Sequence, residues 1–412
     1  MEPRLGIYIH IPFCASKCGY CDFYSCAGAA DRMADYQHAL LEHIEESAGR
    51  IAPAYIDTVY FGGGTPSFYG AARLIELLDA VKATGRLLKR AEVTVEVNPD
   101  SVRLHDLRAL HKAGFNRLSI GMQSANNDIL KMIGRRHSFR QVEMAVQNAR
   151  TAGFDNISLD LIYGLPSQTR SDWADTLAKA LALKPAHISC YGLRLEEGTP
   201  MYDEYEGADI LPSDDDQADM YLYAVDFLSR HGFRQYEISN FARPGYESRH
   251  NLKYWRLDDY IGFGAAAASN IGLLRYTYTH NVRKYISGVL GDKDIIAEQE
   301  ELTPFDRASE YLMLGMRTAG GISREEYMSV YQSSFDKLEE MLEVFEENGW
   351  AVCDNGRWHF TPGGFLVSNV LIGVLLESQT KEKFNANPWI REAFEAKGQK
   401  VPLPTASEPY MN

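Results

Sequence analysis

"LGIYIHIPFCASKCGYC", Leu5 to Cys21, joins two signals. Its first seven residues are apolar and partly β-branched, the texture of a buried strand. The next ten carry three cysteines, Cys14, Cys18 and Cys21, in a CxxxCxxC array. Five more strand-like runs follow: "DTVYFGG", "EVTVEVNP", "RLSIGMQ", "NISLDLIYG" and "HISCYGL". Stretches with helical spacing alternate with them: "MADYQHALLEHIEESAGR", "AARLIELLDAVKA", "LHDLRALHKAGF", "RQVEMAVQNARTAGF" and "SDWADTLAKALAL". In the last, Trp173, Leu177, Ala180 and Leu181 share one face. Strands alternating with helices imply parallel pairing through crossovers. The expected class is α/β: an incomplete (β/α)6 barrel, with an open doubly wound sheet as the alternative. Polar residues gather where the strands end, which is where such barrels keep their chemistry and favours the barrel.

Beyond residue 195 the alternation loosens. "SDDDQADMYLYAVDFLSRHGF" reads as a helix started by the Ser213–Asp216 run. "IGFGAAAASNI" is a segment small enough for chains to approach closely. From 301, helical stretches precede "AVCDNGRWHFTPGGFLVSNVLIGVLL", a hairpin followed by a helix. That order is winged-helix-like, and without a basic stripe it predicts packing rather than DNA binding. The expected division is a barrel core over 1–200 and a barrel extension and covering segment over 201–300. A small α-rich C-terminal domain over 301–377 and a loosely held tail over 378–412 complete it.

The 412 residues are 45% hydrophobic, ample for a core, and the formal charge is −14. That charge argues against nucleic acid. No apolar run is long enough to span a membrane, and the N-terminus is too mixed for a signal peptide. The expected location is the cytoplasm. In a reducing compartment, closely spaced thiols read as metal or redox groups. Cys26, Cys190 and Cys353 are scattered and read as ordinary residues.

Thiolates select zinc, Cu(I) or iron–sulfur clusters. Zinc usually takes a second CxxC-like pair, and none is present. A four-iron cluster takes four thiolates, so three leave one iron open. An open position is what a reactive metal site needs, and a small molecule is expected there. "GGGTPS", Gly62 to Ser67, ends the second strand, where glycines admit a ligand close to the backbone and offer it N–H groups. Glu96, Gln123 and Asp160 close or sit on later strands, and Arg135 follows the fourth.

The cysteine array after a first strand, with a six-unit barrel behind it, resembles the radical S-adenosylmethionine (SAM) superfamily. The resemblance implies a [4Fe-4S] cluster on Cys14, Cys18 and Cys21, with SAM on the open iron. "YIHIPFC", "GYCDFYS", "FGGGTPS", "EVNPDS", "RLSIGMQS", "DLIYGLPSQT" and "YEISNFARPGYESRHNLKYW" further resemble the oxygen-independent coproporphyrinogen oxidase family, over residues 5 to about 375. It implies SAM contacts at Tyr8, Tyr20, Gly63, Gly64, Thr65, Glu96, Gln123, Arg135 and Asp160, some of which serve a second SAM in the true oxidase. Two departures separate this chain from that enzyme. Phe23 stands where the oxidase has a fourth cysteine, and the first strand begins too early for the oxidase's N-terminal arm. "HNLKYW", His250 to Trp255, resembles the signature of the HemW heme chaperones. That implies heme as ligand and His250 as its axial ligand. It also implies Arg249 and Lys253 near the propionates, Tyr254 and Trp255 on the macrocycle, acceptor hemoproteins as partners, and a homodimer. Ala268 replaces a histidine that many relatives carry. Oxidative decarboxylation of coproporphyrinogen III, or radical modification of heme, stay open as enzyme alternatives.

Overall fold

The computed structural model describes residues 3–386. Within them the chain forms two compact units. One takes residues 3–234, 239–253 and 258–301; the other takes 235–238, 254–257 and 302–386.

The six expected strands all form: β1 (Arg4–Ile11), β2 (Tyr55–Gly63), β3 (Arg86–Val97), β4 (Arg117–Gln123), β5 (Asn156–Tyr163) and β6 (His187–Gly192). They pair in chain order and in parallel. The sheet does not close. Beyond β6 it continues antiparallel with β7 (Asn240–Ala242). Beyond β1 it continues parallel with β8 (Tyr260–Phe263), then antiparallel through β9 (Ala268–Ile271), β10 (Leu274–Tyr278) and β11 (Ile296–Glu301). The architecture is therefore an open (β/α)6 barrel whose sheet runs on at both edges. The glycine and alanine segment makes the β8–β9 turn: a Cβ on Gly262 would overlap the Ala268 carbonyl oxygen.

The helices between strands are α1 (Met33–Glu46), α2 (Ala71–Thr84), α3 (Leu104–Ala113), α4 (Phe139–Ala152) and α5 (Arg170–Ala182). Two begin in capping boxes, Ser138 with Gln141 and Thr169 with Asp172. On α5 Trp173, Leu177 and Ala180 are buried as expected, and Thr176 joins them. The helix α6 (Asp214–Arg230) starts at Ser213, whose hydroxyl accepts from Asp216 N–H.

Alternation along the strands sorts two faces. One set is apolar and packs into the helix-covered core: Ile7, Ile9, Val59, Phe61, Val93, Val95, Leu118, Ile120, Ile157, Leu159 and Ile188. The residues between them are polar or small: Tyr8, His10, Thr58, Tyr60, Gly62, Thr94, Glu96, Arg117, Ser119, Ser158, Asp160, His187 and Ser189. Barrel interiors are usually filled by branched apolar side chains. Here the lumen is a polar network, which is also the site.

After α7 (Arg249–Arg256) and α8 (Val282–Val289), the second unit contains α9 (Pro304–Gly315), α10 (Arg324–Tyr331), α11 (Asp336–Glu347) and α12 (Ser368–Ala386). A three-stranded sheet joins β12 (Ile322–Ser323) to β14 (Arg357–Phe360) and β13 (Ala351–Asp354), the expected hairpin. Helix α12 runs past residue 378, where the tail was expected to begin, because Leu375, Leu376, Gln379 and Thr380 are buried. The remaining tail, 387–412, lies outside the described residues. No helix among the described residues is long and apolar enough to cross a membrane.

Candidate cofactor site at the barrel mouth

The cysteine loop leaves the C-terminal end of β1 and is pinned along its length. Thr65 N–H donates to the Phe13 carbonyl (2.9 Å), and its hydroxyl lies 3.3 Å from Cys14 Sγ. Gly19 N–H donates to the Ile133 carbonyl (3.3 Å), and its own carbonyl accepts from Met201 N–H (2.9 Å). Cys26 N–H returns to the Pro12 carbonyl (2.6 Å). Tyr20 packs against Ile129, Leu130, Ile133 and Met201, so it helps hold the loop down. Phe23 is 45% exposed.

Burial pushes the Cys14 thiol up and the Cys21 thiol up to about 11, with the Cys18 charge adding to both. The three thiols are thus near neighbours, and the burial that disfavours the Cys14 and Cys21 thiolates is a cost that metal binding offsets. Among the described residues no three His, Cys, Asp or Glu side chains gather tightly enough to hold one metal ion.

Arg135 ties the loop to the strand ends. Its Nη1 is 3.6 Å from Cys18 Sγ, and its Nη2 donates to Asn98 Oδ1 (2.8 Å) and the Gly121 carbonyl (2.9 Å). Its Nε is buried without a hydrogen-bond partner. A buried guanidinium beside the thiols, with a donor unused, fits an anionic thiolate cluster and an anionic ligand group.

The glycines of "GGGTPS" act differently from expectation. Their N–H groups are engaged by the protein: Gly63 donates to Glu96 Oε2 (3.2 Å) and Gly64 to the Ile11 carbonyl (2.8 Å). What they supply is room. Gly63 has φ 109°, and a Cβ there would lie 2.5 Å from the His10 ring; a Cβ on Gly64 would strike the Pro12–Phe13 backbone. Gly63→Ala is therefore expected to destabilise by more than about 1 kcal/mol and to lower cluster retention. Iron content and melting temperature check this, and an unchanged pair would refute it.

Glu96 accepts from Tyr60 Oη (2.8 Å) as well as Gly63 N–H. Burial, helped by the Asp160 charge, raises its carboxyl to about 7, against the two donors and Arg117. Asp160 accepts from three serine hydroxyls on three strands: Ser119 (2.8 Å), Ser158 (3.2 Å) and Ser189 (2.8 Å). A carboxylate has about four acceptor positions, so one stays open for a ligand. Gln123 ends β4 with φ 61° at a register shift against β5. Strain of this kind in a non-glycine residue concentrates at functional sites. Tyr8 sits deeper, its hydroxyl 3.0 Å from His10 Nδ1, while His10 Nε2 bonds the Tyr24 carbonyl (2.9 Å).

The structure thus gathers the cysteine loop, Gly63, Gly64, Thr65, Glu96, Gln123, Arg135 and Asp160 at one mouth. It puts His250 below that mouth. The imidazole is fully buried, its Nδ1 is 2.8 Å from Thr58 Oγ1, and it stacks on Tyr60 (5.2 Å, 28°). Gly6 and Thr58 lie at the starts of β1 and β2, two strand layers below the mouth. Lys253 is buried and paired with Asp57 (2.9 Å), and Arg249 donates to the Arg90 and Asp57 carbonyls. Tyr254 and Trp255 belong to the second unit. Ala268 lies on β9 opposite Thr277.

Sequence reasoning missed Tyr60, Asn98, Arg117 and the three serines. The signal was present. Parallel strands buried on both faces should read as continuous apolar runs, and polar residues at every second position of β2 to β6 mark a polar lumen.

Residues 8–180 match the radical SAM superfamily, and residues 302–367 match the HemN C-terminal domain. A Lactococcus lactis protein named heme chaperone HemW is 36% identical over 365 residues, covering 88% of this chain and 94% of that protein. The Bacillus subtilis protein of the same name is 35% identical over 382 residues, covering 90% and 98%. The solved structure of coproporphyrinogen III oxidase (HemN) from Escherichia coli superposes with a TM-score of 0.79. It covers 91% of this chain and 90% of its own at 22% identity, a likeness of fold. With identity above a third sustained over nearly the whole length of such relatives, the chain belongs to the HemW family of radical SAM proteins.

Proposed function

We propose that this protein is a cytoplasmic heme chaperone that binds a [4Fe-4S] cluster, SAM and heme, and passes heme to acceptor hemoproteins such as respiratory enzymes. The observation that carries the reading is the identity to proteins named heme chaperone HemW over nearly their full length. Cys14, Cys18 and Cys21 would hold the cluster. When bound, it supplies an iron open to the amino and carboxylate groups of SAM. Thr65 fixes Cys14 from both its backbone and its hydroxyl. Arg135 offsets the negative charge of the thiolates. Glu96 and Asp160 face the mouth as acceptors for the ribose hydroxyls and ammonium group of SAM. Tyr8, Tyr20, Gly63, Gly64 and Gln123 would complete the SAM contacts. The reading extends to a homodimer and excludes nucleic acid on charge. His250 of the HNLKYW segment would serve as the axial ligand of the heme iron.

Glu96 sets a pH dependence. Its carboxyl is neutral below about 7 and anionic above it. A cationic ligand is held by the anion, so SAM affinity is expected to fall by about tenfold as pH drops from about 8 to about 6. Titration of the reconstituted protein with SAM at several pH values checks this. A flat profile would remove Glu96 from the contact set.

The function is tested by anaerobic reconstitution, titration with hemin, and mixing with an apo-hemoprotein. Heme bound by the protein and recovered intact in the acceptor is expected. Failure to bind hemin would defeat the chaperone reading. Multiple turnovers of coproporphyrinogen III to protoporphyrinogen, with SAM and dithionite, would replace it with the decarboxylase.

A further inference from the structure

His250 lies below the mouth of the barrel, and a continuous chain of contacts joins it to Glu96. At the lower end, the two oxygens of Glu92 accept from the N–H groups of Arg249 and His250, 3.0 Å each. That anchors the start of α7 to β3. Thr58 then fixes the imidazole through Nδ1. The imidazole lies on the Tyr60 ring at 5.2 Å with 28° between planes, and the Tyr8 ring lies at 6.4 Å and 28°. Tyr8 and Tyr60 also stack on each other at 6.2 Å. Held by this stack, Tyr60 donates its hydroxyl to Glu96 Oε1.

Two glycines make the chain sterically feasible. A Cβ on Gly6 would lie 2.8 Å from Lys253 Cδ and 3.3 Å from the His250 ring. A Cβ on Gly62 would lie 2.8 Å from Tyr60 Cε1 and 3.0 Å from Glu96 Oε1. Both belong to the strand runs flanking the cysteine loop. Any side chain there would displace α7 or part Tyr60 from Glu96.

We propose that His250 is a positioning residue for the SAM site, acting on Glu96 through Tyr60. The inference rests on the reading that Glu96 contacts SAM. The groups facing Glu96 are Tyr8 on β1, Tyr60 on β2, Gly63 N–H at the end of β2, Arg117 on β4 and Asp160 on β5. Of these, the Tyr60 ring stacks on His250, the Tyr8 ring lies farther from it, and the Arg117 charge also acts on the imidazole.

The test uses the full chain, reconstituted anaerobically, with SAM affinity measured across pH and hemin binding measured alongside. Tyr60→Phe removes a hydrogen bond that favours the Glu96 carboxylate. The midpoint of the pH profile should move upward, with SAM binding about tenfold weaker at neutral pH. His250→Ala should produce the same upward shift, and adding it to Tyr60→Phe should change little more. His250→Phe keeps an aromatic ring on Tyr60 and should recover most of the affinity. If His250→Ala does not fold, Thr58→Val, which removes the hydrogen bond at Nδ1 at similar volume, should shift the profile in the same direction. A folded His250→Ala protein with wild-type SAM affinity and midpoint would overturn the inference. So would loss of hemin binding in that variant with SAM binding intact. Failure of the wild type itself to bind SAM would instead sink the cofactor reading, and this inference with it.

Discussion

Cys14→Ser, Cys18→Ser and Cys21→Ser, reconstituted with iron and sulfide, should each emerge nearly colourless and iron-poor, while Cys26→Ser retains the cluster. The reason lies in the count of ligands. Three thiolates are the fewest that leave only one iron open, and a serine hydroxyl is a harder and much weaker ligand. Cys26 is the informative control. It is five residues beyond Cys21, and its backbone pairs with Phe13 beside Cys14, so general damage to this loop would affect it too. Its thiol approaches the Tyr24 hydroxyl at 3.9 Å. Equal iron loss in Cys26→Ser would mean that the loop, and not the three-thiol set, decides retention. Undiminished iron in any of the other three would defeat the assigned ligands.

The second large effect concerns stability. Glu92→Ala should lower stability by about 3 kcal/mol, or roughly 5 °C in melting temperature for a unit of this size. Glu92 is 5% exposed, and both its oxygens accept N–H groups at the start of α7. The alanine variant strands two donors in the lumen and removes the anion facing the helix dipole. Glu92→Gln keeps one acceptor oxygen and should lose about half as much. A melting temperature within about 2 °C of wild type in Glu92→Ala would show that α7 is held by its other contacts. Heme binding and stability should be scored together for every variant in HNLKYW, since a fully buried histidine inside this anchor can lose both for structural reasons.

The local elements were legible because their signals are local. Each of the six strands and five helices of the barrel carries its own period, and capping residues such as Ser138, Thr169 and Ser213 mark their starts. The cysteine array was legible for the same reason, since its three thiols lie within eight residues. Glu96, Arg135 and Asp160 were recognisable as strand-end polar groups. Their partners were not. Nothing near Asp160 in the sequence indicates that Ser119 and Ser189 arrive from both neighbouring strands.

His250 shows the limit most clearly. Histidine, followed by a lysine and two aromatics, has the composition of a heme ligand with its pocket. Its burial depends on Thr58, 192 residues away, and Glu92, 158 residues away. The sequence by itself determined the open α/β barrel, the three-thiol loop and the strand ends that surround it, because periodicity and spacing are written within short windows. Only the tertiary structure decided that the glycines serve backbone packing, that the lumen is polar throughout, and that His250 lies under Tyr60. Those outcomes depend on which strands become neighbours and in what register, and pairing across the sheet leaves no trace at either partner alone.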